Sequence, residues 1–225
     1  MLEENVKKIL EEIACGNNLG EKITLVGASK TMSVEIINRA IDAGLKVVAE
    51  NKVQEFREKT AFIKNAKQHF IGHLQTNKVK YLMGKTCLIH SVDSYKLACE
   101  IEKQAAKNNL VVDILVEVNI ANESTKFGLA KEEVIALVKE ISLLEHVRIK
   151  GLMTIAPYVE NAEDNRLYFR QIKQLSVDID NQNIDNVSMN ILSMGMSGDY
   201  EVAIEEGATL VRVGTSIFGE RVYQQ

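Results

Sequence analysis

The chain has 225 residues, of which 46% are hydrophobic and 26% charged, as in a globular protein with one α/β barrel or one doubly wound α/β domain. Its net charge of −4 argues against nucleic acid as a partner, because nucleic-acid-binding domains are usually basic. The N-terminus has no hydrophobic signal core, and no apolar run approaches the ~20 residues of a membrane span. We therefore expect a cytoplasmic protein that binds neither nucleic acid nor membrane.

The three cysteines, Cys15, Cys87 and Cys99, are odd in number and form no Cys-x-x-Cys pair. This pattern indicates a reducing compartment and argues against a disulfide framework or a zinc site, so we expect no metal. Cys87 lies in an apolar run, which predicts a small core residue.

The first elements are a helix, a strand and a second helix. Apolar residues at helical spacing predict an amphipathic helix over residues 2–14, and the run 23–26 predicts a strand that ends shortly before Lys30. Ser33 is a candidate N-cap for the next helix, and Gly44 suits its C′ position.

Seven further β-branched runs predict strands, and helical patterns separate them, most clearly at 131–142 and from 162 to about 177. Strands that alternate with helices indicate a parallel sheet. Eight of them favour a TIM-like (β/α)8 barrel with an extra N-terminal helix, as a single domain over residues 1–225. The segments around 56–65 and 75–84 are left unassigned. The seven runs are 46–49, 68–71, 87–90, 112–118, 147–152, 188–192 and 210–213.

Lys30 is the leading candidate for chemistry. In a TIM barrel the functional face lies at the C-terminal ends of the strands, and Lys30 follows the first strand. Partial desolvation there disfavours the ammonium form and frees the amine to attack an aldehyde. Position alone leaves two Schiff-base chemistries open, a cofactor-free aldolase and a pyridoxal 5′-phosphate (PLP) lysine.

Two turns near the C-terminus predict a phosphate site. The segment 193–199 follows the seventh strand and Gly214-Thr215-Ser216 follows the eighth, where this fold commonly binds phosphate. Ordinary tight turns are the alternative explanation for these glycines and serines.

Other polar residues leave alternatives open. Arg212 lies in an apolar strand and needs a partner if it points inward, either Glu50 or Glu117 or a ligand. His73 follows a strand and a glycine, and is either structural or an acid–base group. The lysines at 78, 80 and 85 form a cluster that is typical of a solvated face, with an anion contact as the alternative.

Seven short motifs together resemble the PLP homeostasis proteins, the YggS/PROSC family. They extend from the first strand to near the C-terminus. A proline often follows the lysine motif in this family, whereas this chain has Thr31-Met32-Ser33 there. The motifs are ASKT (28–31), ENKVQE (50–55), HFIGHLQTNK (69–78), STKFGL (124–129), GLMT (151–154), LSMGMS (192–197) and RVGTSIFG (212–219).

The resemblance implies a barrel similar to the N-terminal domain of alanine racemase, with PLP held as a Schiff base on Lys30. It also implies a role in vitamin B6 homeostasis, with apo PLP enzymes as recipients of PLP. Ser197, Gly214 and Thr215 would hold the phosphate, Arg212 would face the pyridine nitrogen and Asn51 would lie near the ring, with His73, Met153 and Ser193 as further candidate contacts.

A PLP-dependent racemase is the alternative function. Alanine racemases place a second catalytic base on a separate β-domain of the partner subunit, and this chain ends at Gln225, soon after the last predicted strand. We therefore expect a monomeric PLP-binding protein without turnover.

Overall fold

The computed structural model describes residues 1–219, and the fold is a closed barrel of eight parallel strands surrounded by helices. The strands follow one another around the barrel in chain order, and the last pairs with the first. Residues 220–225 of the predicted domain lie outside the described part. Within residues 1–219, no helix is long and apolar enough to cross a bilayer.

All eight predicted strands are confirmed, and their ends differ from the prediction by at most two residues. Their continuous Val, Ile and Leu runs are typical of strands that are buried on both faces. The strands are β1 (Thr24–Ala28), β2 (Val47–Glu50), β3 (Lys67–Phe70), β4 (Leu88–Val92), β5 (Val112–Val118), β6 (Val147–Thr154), β7 (Val187–Ser193) and β8 (Leu210–Val213).

The N-terminal helix is confirmed, and further helices follow the strands. Ser33 caps the second helix by accepting the N–H of Ile36 at 3.3 Å, and Gly44 has a φ of +120°, as a C′ glycine requires. The helices are α1 (Leu2–Glu12), α2 (Val34–Asp42), α3 (Val53–Lys59), α4 (Tyr95–Lys107), α5 (Val134–Ile141), α6 (Arg166–Asp180), α7 (Tyr200–Glu205) and α8 (Thr215–Phe218).

The unassigned segments contain short helices. Residues 56–65 contain the end of α3 and a 3₁₀ turn, Thr60–Phe62, and residues 75–84 contain the 3₁₀ helix Thr76–Tyr81. Too few apolar residues repeat at helical spacing there to predict these elements. Cys87 is not the small core residue that was predicted. It directly precedes β4, at the end of the barrel where the strands begin, and it is exposed.

The core has two parts, one on each side of the sheet. The larger part lies between the strands and the helices, and the smaller part fills the barrel interior. Side chains alternate across each strand, so every second residue points inward. The interior cluster comprises Val26, Val47, Ala49, Leu88, Leu115, Met153 and Leu210.

Candidate functional site

A cavity of about 730 Å³ opens at the C-terminal ends of the strands. Seven of the nine residues predicted for the site line it, namely Lys30, Asn51, His73, Ser197, Arg212, Gly214 and Thr215. The other two, Met153 and Ser193, are fully buried beneath it. Met153 packs inside the barrel, and Ser193 contacts Arg212.

Lys30 lies in the turn that follows β1, and its side chain is half-buried. The residue before it, Ser29, donates its N–H to the carbonyl oxygen of Ala49 at 2.9 Å. The Ser29 hydroxyl donates to Oε1 of Glu50 at 2.8 Å. The backbone that leads into Lys30 is therefore tied to β2.

The residue after Lys30 has a strained backbone. Thr31 has a φ of +69°, in the left-handed region, which costs a residue with a Cβ about 1–2 kcal/mol. Its N–H donates to Oε2 of Glu55 at 2.8 Å. This hydrogen bond stabilises the turn, so the direction in which Lys30 leaves the backbone depends on Glu55.

Lys59 joins the two carboxylates that hold this turn. Its Nζ lies 3.0 Å from Oε1 of Glu50 and 2.7 Å from Oε2 of Glu55. Burial raises the pKa of Glu50, although the hydrogen bond from Lys59 opposes the shift. Burial also acts to raise the pKa of Glu55, but hydrogen bonds from Lys59 and Thr31 outweigh it and lower that pKa.

The two predicted phosphate turns converge on one hydroxyl group. Oγ of Ser197 accepts the backbone N–H of Gly214 at 3.2 Å and that of Ser216 at 3.3 Å. Gly195 shapes the first turn, because its φ is +89° and a Cβ there would lie 2.7 Å from that of Ala203. Backbone N–H groups directed at one point are also the kind of donor that binds an anion.

Arg212 points inward and forms neither of the two ion pairs considered for it. Its guanidinium donates to Oγ of Ser193 at 2.6 Å and to the carbonyl oxygen of Thr154 at 2.8 Å. Glu50 pairs with Lys59 instead, and Glu117 affects Arg212 only through its charge. Burial lowers the pKa of Arg212 to about 10, so the guanidinium remains charged at neutral pH.

A chain of buried hydrogen bonds extends from Arg212 down the barrel interior. Nδ1 of His90 lies 3.0 Å from Oγ of Ser193, and Nε2 of His90 lies 3.0 Å from Nδ1 of His69. Because Arg212 can only donate, the Ser193 hydroxyl accepts from it and donates its own proton to His90. His90 must then carry its proton on Nε2 and donate to His69.

Both histidines are neutral at physiological pH. Burial lowers the pKa of His69 to about 4, helped by the charge of Lys67. Burial also holds the pKa of His90 well below its usual value, helped by the charges of His69 and Arg212. This neutral chain fixes the orientation of Arg212 without adding a competing charge beneath the cavity.

Glu117 is a buried carboxyl group in the cavity wall that the sequence suggests only as a partner for Arg212. It is 6% exposed, and its Oε2 has no hydrogen-bond partner within residues 1–219. Burial raises its pKa to about 7, and the charge of Asp93 adds to the shift while that of Arg212 opposes it. Its position could have been inferred from Leu115, an interior residue two positions earlier in β5.

The rim of the cavity is aromatic and partly exposed. The His73 ring stacks on Phe127 with 3.8 Å between centroids and 12° between planes. Nδ1 of His73 lies 3.9 Å from the Asp93 carboxylate. Gly72 lets the chain after β3 approach β2, because a Cβ there would lie 1.9 Å from the carbonyl oxygen of Asn51. Phe127 lies far from His73 in sequence, and no pattern predicts their contact.

The part of the chain that the structure describes contains no group of three or more His, Cys, Asp or Glu side chains that could hold a metal ion.

The raised pKa of Glu117 predicts a pH-dependent effect on stability. Folding raises this pKa from about 4.5 to about 7, so the folded protein retains a proton that the unfolded chain releases. Stability is thus lost as pH rises through this range. The Glu117→Gln variant cannot ionise at this position and does not lose stability in this way. Its free energy of unfolding minus that of the native protein should therefore be about 2 kcal/mol larger at pH 8 than at pH 5.

Urea denaturation at both pH values measures this difference, with the exposed Glu58→Gln as control. A difference between Glu117→Gln and the native protein that does not change with pH would show that Glu117 is ionised at both.

Comparisons with known proteins identify the family. The family model described as alanine racemase, N-terminal domain, matches residues 3–222. The pyridoxal phosphate homeostasis protein of Aquifex aeolicus (strain VF5) is 51% identical, and the match covers 98% of this chain and 95% of that protein. The protein of the same name from Synechocystis is 35% identical over 91% of this chain and 94% of its own.

Solved structures agree with the observed fold. PipY of Synechococcus elongatus, solved with PLP bound, is 30% identical with a TM-score of 0.86, over 97% of this chain and 100% of that chain. Alanine racemase of Clostridium difficile 630 has a TM-score of 0.78 at 18% identity, over 98% of this chain but 59% of that one, and this likeness shows the fold alone. The chain therefore belongs to the family of the pyridoxal phosphate homeostasis proteins.

Proposed function

We propose that the protein holds PLP as a reversible Schiff base on Lys30 and serves vitamin B6 homeostasis by storing and releasing this aldehyde. One observation carries the proposal. Lys30 lines the same cavity as Ser197 and Gly214, with Arg212 in its wall. Family membership and the PLP-bound PipY structure support the same conclusion.

The residues of the cavity fit the chemical groups of PLP. Lys30 offers an amine to the aldehyde, and Ser197, Gly214 and Thr215 offer donors to the phosphate. Arg212 offers a fixed guanidinium to the ring nitrogen, and Asn51 lines the wall nearby. PLP supplies an aldehyde that condenses with an amine.

The covalent step needs only Lys30 and a proton source. The unprotonated Nζ of Lys30 would attack the aldehyde carbon and lose both of its protons, so that a C=N bond replaces the C=O bond and the carbonyl oxygen leaves as water. The reverse addition of water frees Lys30 again. The turn at Ser29 and Thr31 directs the amine, and the partly exposed rim lets water and ligand enter.

Arg212 makes this site suited to holding PLP. A guanidinium donates to the ring nitrogen and keeps it unprotonated, which makes the ring a weaker electron sink than one that is paired with an acid. His69, His90 and Ser193 maintain that orientation from below. The proposal therefore assigns no turnover to the protein.

We extend the proposal to the recipients of PLP, the oligomeric state and the cellular compartment. Release of PLP to apo PLP enzymes would complete a storage role, and a monomer leaves the rim open to them. The free thiols of Cys15, Cys87 and Cys99 suit the reducing cytoplasm.

A PLP-dependent amino-acid racemase is the second candidate, because the alanine racemase N-terminal domain shares this barrel. A racemase needs a second acid–base group opposite the lysine, and Glu117 is a cavity carboxyl that titrates near neutral pH. Robust racemisation of a common amino acid, lost in Glu117→Gln, would establish this function in place of storage.

Replacement of Lys30 gives the first test of the storage role. The purified protein should absorb in the visible imine band of PLP, and Lys30→Ala should lose that band after dialysis because no amine remains to condense. The exposed Lys107→Ala serves as the control and should keep the band. A band that persists in Lys30→Ala would place PLP on another residue.

The strained turn gives a second test. Glu55→Ala removes the acceptor of the Thr31 N–H, so the turn relaxes and PLP affinity should fall roughly tenfold, which corresponds to the ~1–2 kcal/mol of strain in Thr31. Adding Thr31→Gly should recover much of the loss, since glycine adopts positive φ without strain.

Spectroscopic titration with PLP measures these affinities, and Glu58→Ala on the same helix is the matched control. Equal affinities for Glu55→Ala and Glu58→Ala would rule out a positioning role for Glu55.

A further inference from the structure

A second pocket lies beside the Lys30 cavity and has a different character. Its volume is about 280 Å³, and three cations line it, Lys52, Arg57 and Lys78. None of the lining side chains is a carboxylate. We call it the basic pocket. The chain as a whole carries a net charge of −4, so this concentration of positive charge is local.

Among the described residues, these three cations have no acidic partner at ion-pair distance, whereas Arg39, Arg166 and Arg170 do. Within residues 1–219, none of the ion pairs involves Lys52, Arg57 or Lys78. Unpaired cations that converge on a concave site create a positive potential that attracts anions.

The Tyr81 ring contacts one cation of the basic pocket, and the two glutamates of α3 make hydrogen bonds to other groups. The Arg57 guanidinium lies 4.1 Å from the centre of the Tyr81 ring, which holds it at the pocket. Glu58, an acidic residue of α3, accepts a hydrogen bond from Gln54 at 2.6 Å. Glu55 is held by Lys59 and by the Thr31 N–H.

The basic pocket and the Lys30 cavity share a wall. Asn51 and His73 line both sites, so the two sites are adjacent. A ligand that moves past these two side chains passes directly from one site to the other. Oδ1 of Asn51 is buried with no hydrogen-bond partner among the described residues. A buried acceptor without a partner calls for an explanation, and a bound ligand or water with a donor group would provide one.

We propose that the basic pocket is a second anion site, which binds the phosphate group of a small phosphate monoester as it enters or leaves the Lys30 cavity. The inference rests on the proposed function, since PLP is the monoester that would use this route. Lys52, Arg57 and Lys78 bind the phosphate dianion. Asn51 and His73 contact the ring during transfer. The lysine cluster that includes Lys78 thus has a role beyond solvation.

The decisive experiment blocks the Lys30 cavity first. The protein is loaded with PLP and reduced with borohydride, which makes the Lys30 bond permanent, and inorganic phosphate is then titrated by calorimetry. One further saturable site is expected. The triple variant K52Q/R57Q/K78Q should bind phosphate at least about tenfold more weakly. The control K7Q/K107Q/K139Q removes the same charge from exposed positions and should bind like the native protein.

A second measurement follows the entry of PLP itself. The rate of PLP association with unblocked protein, measured by stopped-flow absorbance at low salt, should fall about tenfold in K52Q/R57Q/K78Q and not in the control. Blocked protein that binds no phosphate, or equal binding and rates in the two triple variants, would overturn the inference.

Failure of the proposed function gives a different result. In that case PLP would not attach to Lys30, and no block would form. The phosphate titration is then made on Lys30→Ala, Ser197→Ala protein, in which the first anion site is impaired, and it still shows whether the basic pocket binds phosphate.

Discussion

Closure of eight parallel strands into a barrel is the constraint on which the site depends. It places the C-terminal end of every strand around one opening, so residues far apart in the chain, such as Lys30 and Arg212, line one cavity. Alternation along each strand then decides which of them point inward. Leu115 and Glu117 share the inner face of β5, so the same rule that buries an apolar side chain also buries a carboxyl group.

The second constraint on the site is that ionisable side chains are buried beneath it. The barrel interior holds a guanidinium, a carboxyl group and two histidines with little access to water. Their pKa values move toward the neutral forms, as desolvation requires. Ser193 and Thr154 satisfy Arg212 with neutral acceptors, so its charge stays available to a ligand. An ion pair with Glu117 would have used that charge inside the protein.

The sequence predicted the strands, the N-terminal helix and seven of the residues that line the cavity, because β-branched runs and strand ends are local signals. It did not predict the turn that directs Lys30. A threonine at positive φ has no sequence signature, and its stabilisation by Glu55 and Lys59 depends on contacts between β1, β2 and α3. The stacking of His73 on Phe127 is equally non-local. Cys87 was misjudged because an apolar run does not show where its strand begins.

The central claim is that Lys30 is the residue that binds PLP covalently. Borohydride reduction of the native protein, followed by proteolysis and mass spectrometry, tests it most directly, because reduction converts the reversible Schiff base into a stable amine. We predict that the pyridoxyl group is found on the peptide that contains Lys30. Its absence from every peptide, or its presence mainly on another lysine, would contradict the assignment.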